Sequence, residues 1–146
     1  MAYDLDLAKR YIQGALDTNY PKLKFDYKME EEVLHVSANL TLNNHDDRLM
    51  ILISTYKGGM ASFRAIFDKV VPSDLSDAIS LTNEFNQNYS FLSAFIRKDG
   101  YLELRNVIAY YDETMLGRYT GEFLTWLSNL ATDETLLKLT RITVAE

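Results

Sequence analysis

The stretch LSDAISLTNEFNQNYSFLSAFIRKDGYLELRN, residues 75–106, decides the fold. In its first half, Leu75, Ala78 and Phe85 recur at the spacing of one helix face. In its second half, apolar residues alternate on both sides of Asp99-Gly100, a dipeptide typical of tight hairpin turns. The stretch therefore predicts a helix, a strand, a turn and a second strand.

The chain before this stretch predicts one helix followed by a series of strands. Asp4 is the expected N-cap of the helix, which ends near Thr18 because Pro21 disfavours helical geometry in the residue before it. The period then changes to two, as in strands with one buried face. From Leu49 to Ile53 the chain is apolar at nearly every position, as in a strand covered on both faces. The predicted strands span residues 23–29, 34–42, 49–56 and 60–67.

The chain around and after the stretch completes the pattern. Ser73 is the expected N-cap of the second helix, which ends near Asn88. Two strands follow, over residues 91–96 and 101–110. Asp112 begins a last helical region that extends to about Thr140, and residues 132–134 either break it or lie within it.

The resulting order is α-β-β-β-β-α-β-β-α. Runs of strands with few helices predict an α+β fold, here an antiparallel sheet of about six strands with helices packed on it. The chain has 146 residues and no repeat or linker-like tract, which predicts a single domain over residues 1–146.

Composition excludes several classes of function. The chain has no cysteine, so it forms no disulfide and no cysteine-based zinc site. Its net charge of −6 disfavours nucleic acid and anionic membrane surfaces as partners. The first ten residues do not resemble a secretory signal, and the longest apolar run is far too short to span a bilayer. We therefore expect a soluble, cytoplasmic protein.

No catalytic motif is present in the sequence. Nucleophile-elbow, phosphate-loop, dinucleotide-binding and zinc-protease patterns are all missing, so we expect neither an enzyme nor a cofactor. His45 lies beside Asp46 and Asp47, and these side chains suit either a divalent metal or an ordinary polar turn. We favour the turn, because such residues are typical of loops between strands, and we predict no metal site.

The residues Asn83, Phe85 and Asn86, followed by Asp99-Gly100, resemble the YbjN family of small bacterial proteins described as regulators of sensory transduction. The resemblance implies a fold like that of type III secretion chaperones, which are small acidic dimers that bind proteins and do no chemistry. It supplies no catalytic residues. The amides of Asn83 and Asn86 suit either local backbone groups or the backbone of a partner, and we favour local bonds.

An aromatic, glycine-marked segment follows the hairpin. Its aromatic residues are of the types that anchor interfaces, so we predict partner binding or dimer formation there. The candidate residues are Tyr110, Tyr111, Gly117, Tyr119, Gly121 and Trp126. Two glycines within a helix are costly, which leaves two explanations. Either the helix begins later, with Thr120 as N-cap, or a second element, from the sheet or a dimer mate, approaches closely.

These observations predict a non-catalytic, cytoplasmic protein-binding or regulatory protein that forms a homodimer. The alternative is a small-molecule-binding sensor with a pocket between sheet and helices. Lys22, Lys24 and Lys28 form either a basic patch or the protected edge of a sheet, and we favour the edge.

Overall fold

The computed structural model describes residues 2–41 and 48–144. Its α-helices are α1 (Leu5–Asn19), α2 (Leu75–Asn88), α3 (Met115–Leu130) and α4 (Glu134–Arg141). Its strands are β1 (Asp26–Met29), β2 (Val33–Thr41), β3 (Arg48–Tyr56), β4 (Met60–Val70), β5 (Ser93–Ile96), β6 (Tyr101–Ala109) and β7 (Thr143–Val144). The predicted turn around His45, with its alternative metal site, lies outside the described residues.

The strands form an antiparallel sheet in the order β1-β2-β3-β4-β6-β5, and β7 pairs with β4. Tyr27 lies opposite Val36 at the start of this order, and Phe95 lies opposite Glu103 at its end. The sheet and the helices confirm the predicted α+β fold, and the element order agrees apart from a divided last helix and the added β7. A two-residue strand is too short to produce a period in the sequence.

Strand β1 is shorter than the predicted strand over residues 23–29. Leu23 and Met29 are 37% and 41% exposed, so the predicted buried face is limited to Phe25 and Tyr27, which are half-buried. Strand β1 ends the strand order and, within residues 2–41 and 48–144, pairs on one side only. Lys28 is exposed beside Glu30 at 3.4 Å, in agreement with an edge strand whose charges oppose further pairing.

Contacts divide the described residues into two compact units. One combines the segments up to Ala38, Ile51–Phe63 and Val107–Leu127. The other combines Asn39–Met50, Arg64–Asn106 and the segment from Ser128. The single domain expected over residues 1–146 stays a prediction.

In the first unit, α1 buries the face that its sequence predicts. Leu5, Ala8, Ile12 and Leu16 are at most 4% exposed, because they recur along one side of the helix. Asp4 is the N-cap as predicted, and its side chain accepts hydrogen bonds from the backbone N–H groups of Asp6 and Leu7. Such a cap satisfies donors that have no partner within the helix and stabilises it by about 1 kcal/mol.

Aromatic side chains also contribute to that core. The rings of Phe63 and Phe123 lie 5.5 Å apart, and both side chains are buried. Tilted ring pairs at this distance stabilise a core beyond the area that they bury.

In the second unit, α2 packs on β5 and α4, and its buried residues are Ala78, Thr82 and Phe85. The predicted cap at Ser73 is wrong. Pro72 begins a single 3₁₀ turn, and this moves the start of α2 to Leu75, with Asp74 in the capping position. Proline is well suited to that first position because it has no N–H to leave unpaired.

The break in the last helical region answers the question left open for residues 132–134. Asp133 is the N-cap of α4, and its side chain accepts a hydrogen bond from the backbone N–H of Leu136. Tyr89, at the end of α2, donates its hydroxyl proton to the other oxygen of Asp133. One carboxylate thus begins α4 and joins it to α2.

The predicted hairpin turn is confirmed. Gly100 has a φ of 91°, which L-residues with a Cβ rarely adopt, and the N–H of Arg97 donates to the carbonyl of Tyr101. In residues 2–41 and 48–144, none of the helices has the length and apolarity required to cross a membrane.

Candidate partner-binding groove

The first unit contains an open groove of about 470 Å³ between the end of α1 and the middle of α3. Six residues line it: Asn19, Tyr20, Gly121, Glu122, Thr125 and Trp126. Two of them, Gly121 and Trp126, are among the residues that the sequence predicts for partner contact. We call this feature the Trp126 groove.

One wall of the Trp126 groove is the C-terminal end of α1. The helix ends because Tyr20 leaves helical geometry, while its N–H still donates to the carbonyl of Leu16. The side-chain amide of Asn19 donates to the carbonyl of Ala15 at 2.9 Å. The last turn contains no basic residue, so the partial negative charge of the helix end is not offset there.

The opposite wall is one face of α3. Gly121 has no atom within 4 Å of the place where a Cβ would lie, so its missing side chain leaves open space. Thr125 also lines the groove, and its hydroxyl donates to the carbonyl of Gly121 at 2.9 Å. Glu122 accepts a hydrogen bond from Nε of Arg118 at 3.0 Å.

Aromatic rings supply the apolar part of the groove. Tyr20 and Trp126 are both half-buried, and both line the groove. Rings held in this way lose little conformational freedom on binding, and such residues supply most hot spots of protein interfaces.

The structure distinguishes between the two explanations for Gly117 and Gly121 of α3. Both lie inside Met115–Leu130, so a late start with Thr120 as N-cap is wrong. Close approach is correct for Gly117, where a Cβ would lie 3.1 Å from the carbonyl oxygen of Tyr11. The approaching element is α1, and not the sheet or a dimer mate. Gly121 has no such neighbour.

The prediction of Tyr110 as a contact residue is wrong, because its side chain is buried. It is 1% exposed, its hydroxyl donates to the carbonyl of Tyr56, and its ring lies 4.8 Å from that of Tyr3. Burial raises its pKa to about 12, with the charge of Glu113 as a smaller cause. Tyr110 therefore supports the fold. Tyr111 is 79% exposed, and Tyr119 is half-buried on α3 outside the groove lining.

The residues of the YbjN-like motif build the second unit. Phe85 is fully buried, with its ring 4.8 Å from that of Tyr89. The amide of Asn86 forms two hydrogen bonds with the backbone of Ala94, which confirms the favoured local interpretation for this residue. Asp99 pairs with Arg97 at 2.9 Å in the hairpin turn. Asn83 is exposed.

The sequence did not single out Glu103, although its side chain is fully buried on β6. Nε of Arg105 lies 2.8 Å from one carboxylate oxygen, and a guanidinium nitrogen of Arg97 lies 3.9 Å from the other. The guanidinium of Arg105 also lies 4.8 Å from the ring centre of Phe95. Alternation assigns Glu103 only to the face opposite Leu102 and Leu104. The alternation does not show that this face is covered at Glu103.

A second open depression, of about 450 Å³, lies beside the start of α1. Its rim includes Asp4, Asp6, Glu30 and Glu31 around the exposed side chain of Met29. Across residues 2–41 and 48–144, no set of three or more acidic, histidine or cysteine side chains has the arrangement of a metal site.

Neither the family models nor the curated proteins compared with the chain give a match.

Proposed function

We propose that this chain is a non-catalytic protein-binding or regulatory protein of YbjN type, and that a partner protein docks in the Trp126 groove. The main support is the meeting of Gly121 and Trp126 with Tyr20 in one open groove. These residues come from distant parts of the chain. Together they offer aromatic anchors beside open space, the arrangement in which interface hot spots are found.

The shape of the groove favours a protein partner over a small metabolite. Small-molecule sites enclose most of the ligand surface in a cleft. The Trp126 groove is open along its length, although its volume of about 470 Å³ is ample for a side chain. A protruding side chain of a protein needs only such a partial enclosure, because the rest of the interface excludes water around it.

The proposal extends to the cytoplasm as the compartment and to a homodimer as the working form. Light scattering on a size-exclusion column at tens of micromolar tests the dimer. A mass near twice the 16.8 kDa of the chain supports it, and a mass near 16.8 kDa contradicts it.

Gly121→Tyr tests the groove, because a Cβ at this lining position meets no atom within 4 Å and the added ring is expected to fill the groove. Gly14→Tyr is the control, since Gly14 is likewise helical and without a neighbour within 4 Å of its Cβ position, and it is exposed on α1 outside the groove lining. We expect proteins that co-purify with the wild type from its native host to be lost with Gly121→Tyr and retained with Gly14→Tyr. Equal retention by both variants contradicts docking in the groove.

A further inference from the structure

We infer that the Trp126 groove receives a lysine or arginine side chain of the partner, which takes the place of Arg118 beside Glu122. This inference rests on the proposed function and specifies the chemistry of the partner. Three observations support it: the negative charge of the groove lining, the aromatic rings of Tyr20 and Trp126, and the weakness of the ion pair between Arg118 and Glu122.

The charges of the groove favour a cation. Glu122 contributes a carboxylate that is 37% exposed, and the C-terminal end of α1 contributes the partial negative charge of the helix dipole. Among the groove-lining residues that the structure describes, Glu122 is the only side chain with a formal charge. Once Arg118 has moved away from Glu122, a cationic side chain is attracted from both walls.

The rings of the groove favour the same occupant. A cation near the face of a tryptophan or tyrosine ring is attracted by the negative face of the ring. The methylene stem of lysine or arginine also packs along apolar surface while its charged head stays near water. Trp126 and Tyr20 therefore suit both parts of such a side chain.

The guanidinium of Arg118 already forms an ion pair with the carboxylate of Glu122. Arg118 lies four residues before Glu122 on α3, and its Nε is 3.0 Å from the carboxylate oxygen. The side chain of Arg118 is nevertheless 78% exposed, and ion pairs of this kind contribute little to stability. A partner cation that also contacts the rings displaces Arg118 at small cost.

The charge of the whole chain assists the encounter. A net charge of −6 attracts basic segments over a distance of roughly 10 Å at moderate ionic strength. This general attraction does not select the groove, so the test must separate it from local recognition.

The test uses the fluorescence of Trp126, the one tryptophan of the chain, while hexalysine is added to the folded protein. Hexa-acetyl-lysine is the uncharged probe of the same length. Glu122→Gln removes the proposed partner carboxylate. Glu134→Gln makes the same change of charge at an exposed position outside the groove lining. We also use Arg118→Gln, which removes the internal competitor.

Hexalysine is expected to change the emission of Trp126, and hexa-acetyl-lysine is not. Glu122→Gln should weaken the hexalysine affinity by about two- to fivefold, Arg118→Gln should strengthen it, and Glu134→Gln should leave it unchanged. No emission change in the wild type, or equal weakening by Glu122→Gln and Glu134→Gln, overturns the inference. If Gly121→Tyr still removes the natural partner in that case, the groove binds a protein of other chemistry and the proposed function stands.

Discussion

The side-chain amide of Asn86 forms hydrogen bonds with both backbone groups of Ala94. Its Nδ2 donates to the carbonyl of Ala94 at 2.9 Å, and the N–H of Ala94 donates to its Oδ1 at 2.7 Å. Strand β5 ends the strand order, and the bond from Arg97 N–H to Tyr101 places the backbone groups of Ala94 on the side away from β6. Asn86 therefore occupies the place that another strand would take.

Asn86→Ala should destabilise the protein by about 1–3 kcal/mol, because it leaves two partly buried backbone groups without these partners. It should also increase self-association through the uncovered edge of β5. Urea unfolding and light scattering measure the two effects. Asn83→Ala, on the exposed face of the same helix, should change stability by less than about 0.5 kcal/mol. Equal effects of both substitutions would contradict this role for Asn86.

A second substitution tests whether the self-association of Asn86→Ala occurs through the edge of β5. Ser93 is exposed on β5 and lies opposite Arg105 on β6, so Ser93→Glu is compatible with the hairpin but places like charges together when two β5 edges meet. The Asn86→Ala, Ser93→Glu double variant should return to the mass of the wild type. Persistent association of the double variant would place the contact elsewhere.

The two glycines of α3 should respond differently to alanine. Gly121→Ala should raise the free energy of unfolding by about 1 kcal/mol, because helix propensity improves and a Cβ has room there. Gly117→Ala should gain less or lose stability, since its Cβ would lie 3.1 Å from the carbonyl oxygen of Tyr11. Chemical unfolding of both variants measures the difference. A larger gain at Gly117 than at Gly121 would show that α1 and α3 do not approach as described.

Asp133 should stabilise the folded protein through two separate hydrogen bonds, one from the Tyr89 hydroxyl and one from the backbone N–H of Leu136. Tyr89→Phe removes one of them and should cost about 1 kcal/mol. Asp133→Ala also removes the cap of α4 and should cost about 2 kcal/mol in total. Asp133→Asn retains a capping oxygen and should be the milder change of the two at this position. If Asp133→Ala costs no more than Tyr89→Phe in urea unfolding, the cap contributes nothing.

Buried phenols should make the protein sensitive to alkali. Burial, and to a smaller extent Glu113, raises the pKa of Tyr110 to about 12 from its usual 10.0. Burial, and then Asp17, raises the pKa of Tyr27 in the same way, to about 12. A pKa that is higher in the folded state adds stability that is complete below the unfolded pKa and is lost as pH rises through the folded pKa. The free energy of unfolding should therefore fall between about pH 10 and pH 12.

Tyr110→Phe separates the contribution of Tyr110 from the rest of the stability loss in alkali. At neutral pH the substitution should cost about 1 kcal/mol, because the hydrogen bond to the carbonyl of Tyr56 is lost. Its stability should then decline less steeply in alkali than that of the wild type, with the remaining decline due in part to Tyr27. Identical pH profiles for the two proteins would contradict the burial of the Tyr110 hydroxyl.

The elements with a strong period were predictable. The apolar stripe of α1 and its cap Asp4 appear as predicted, as does the Gly100 turn between β5 and β6. Ser73 was misplaced as a cap because the preceding proline begins a turn of its own. Leu75 and Ile79 fit the period of α2 but are 44% and 49% exposed, because periodicity shows which residues share a face and not how wide the covered part is.

Only some of the residues that line the Trp126 groove were predictable from the sequence. Gly121 and Trp126 are conspicuous in the sequence because glycine within a helix and a single tryptophan are unusual. Asn19 and Tyr20 appear in the sequence only as a helix end, and no local pattern indicates that this end lies against α3. Tyr110 belongs to the same aromatic segment, yet its position after β6 directs it into the core. Neighbourhood in space depends on packing between elements that are far apart in the chain.

Photo-crosslinking in the native host tests the central claim most directly. A photoreactive phenylalanine analogue is placed at Tyr20, in the Trp126 groove, or at Ile79, which is exposed on α2. The account predicts a discrete crosslinked protein partner from position 20, none from position 79, and loss of the crosslink when Gly121→Tyr is added. No crosslink from position 20, or an equally strong one from position 79, would contradict docking in the groove.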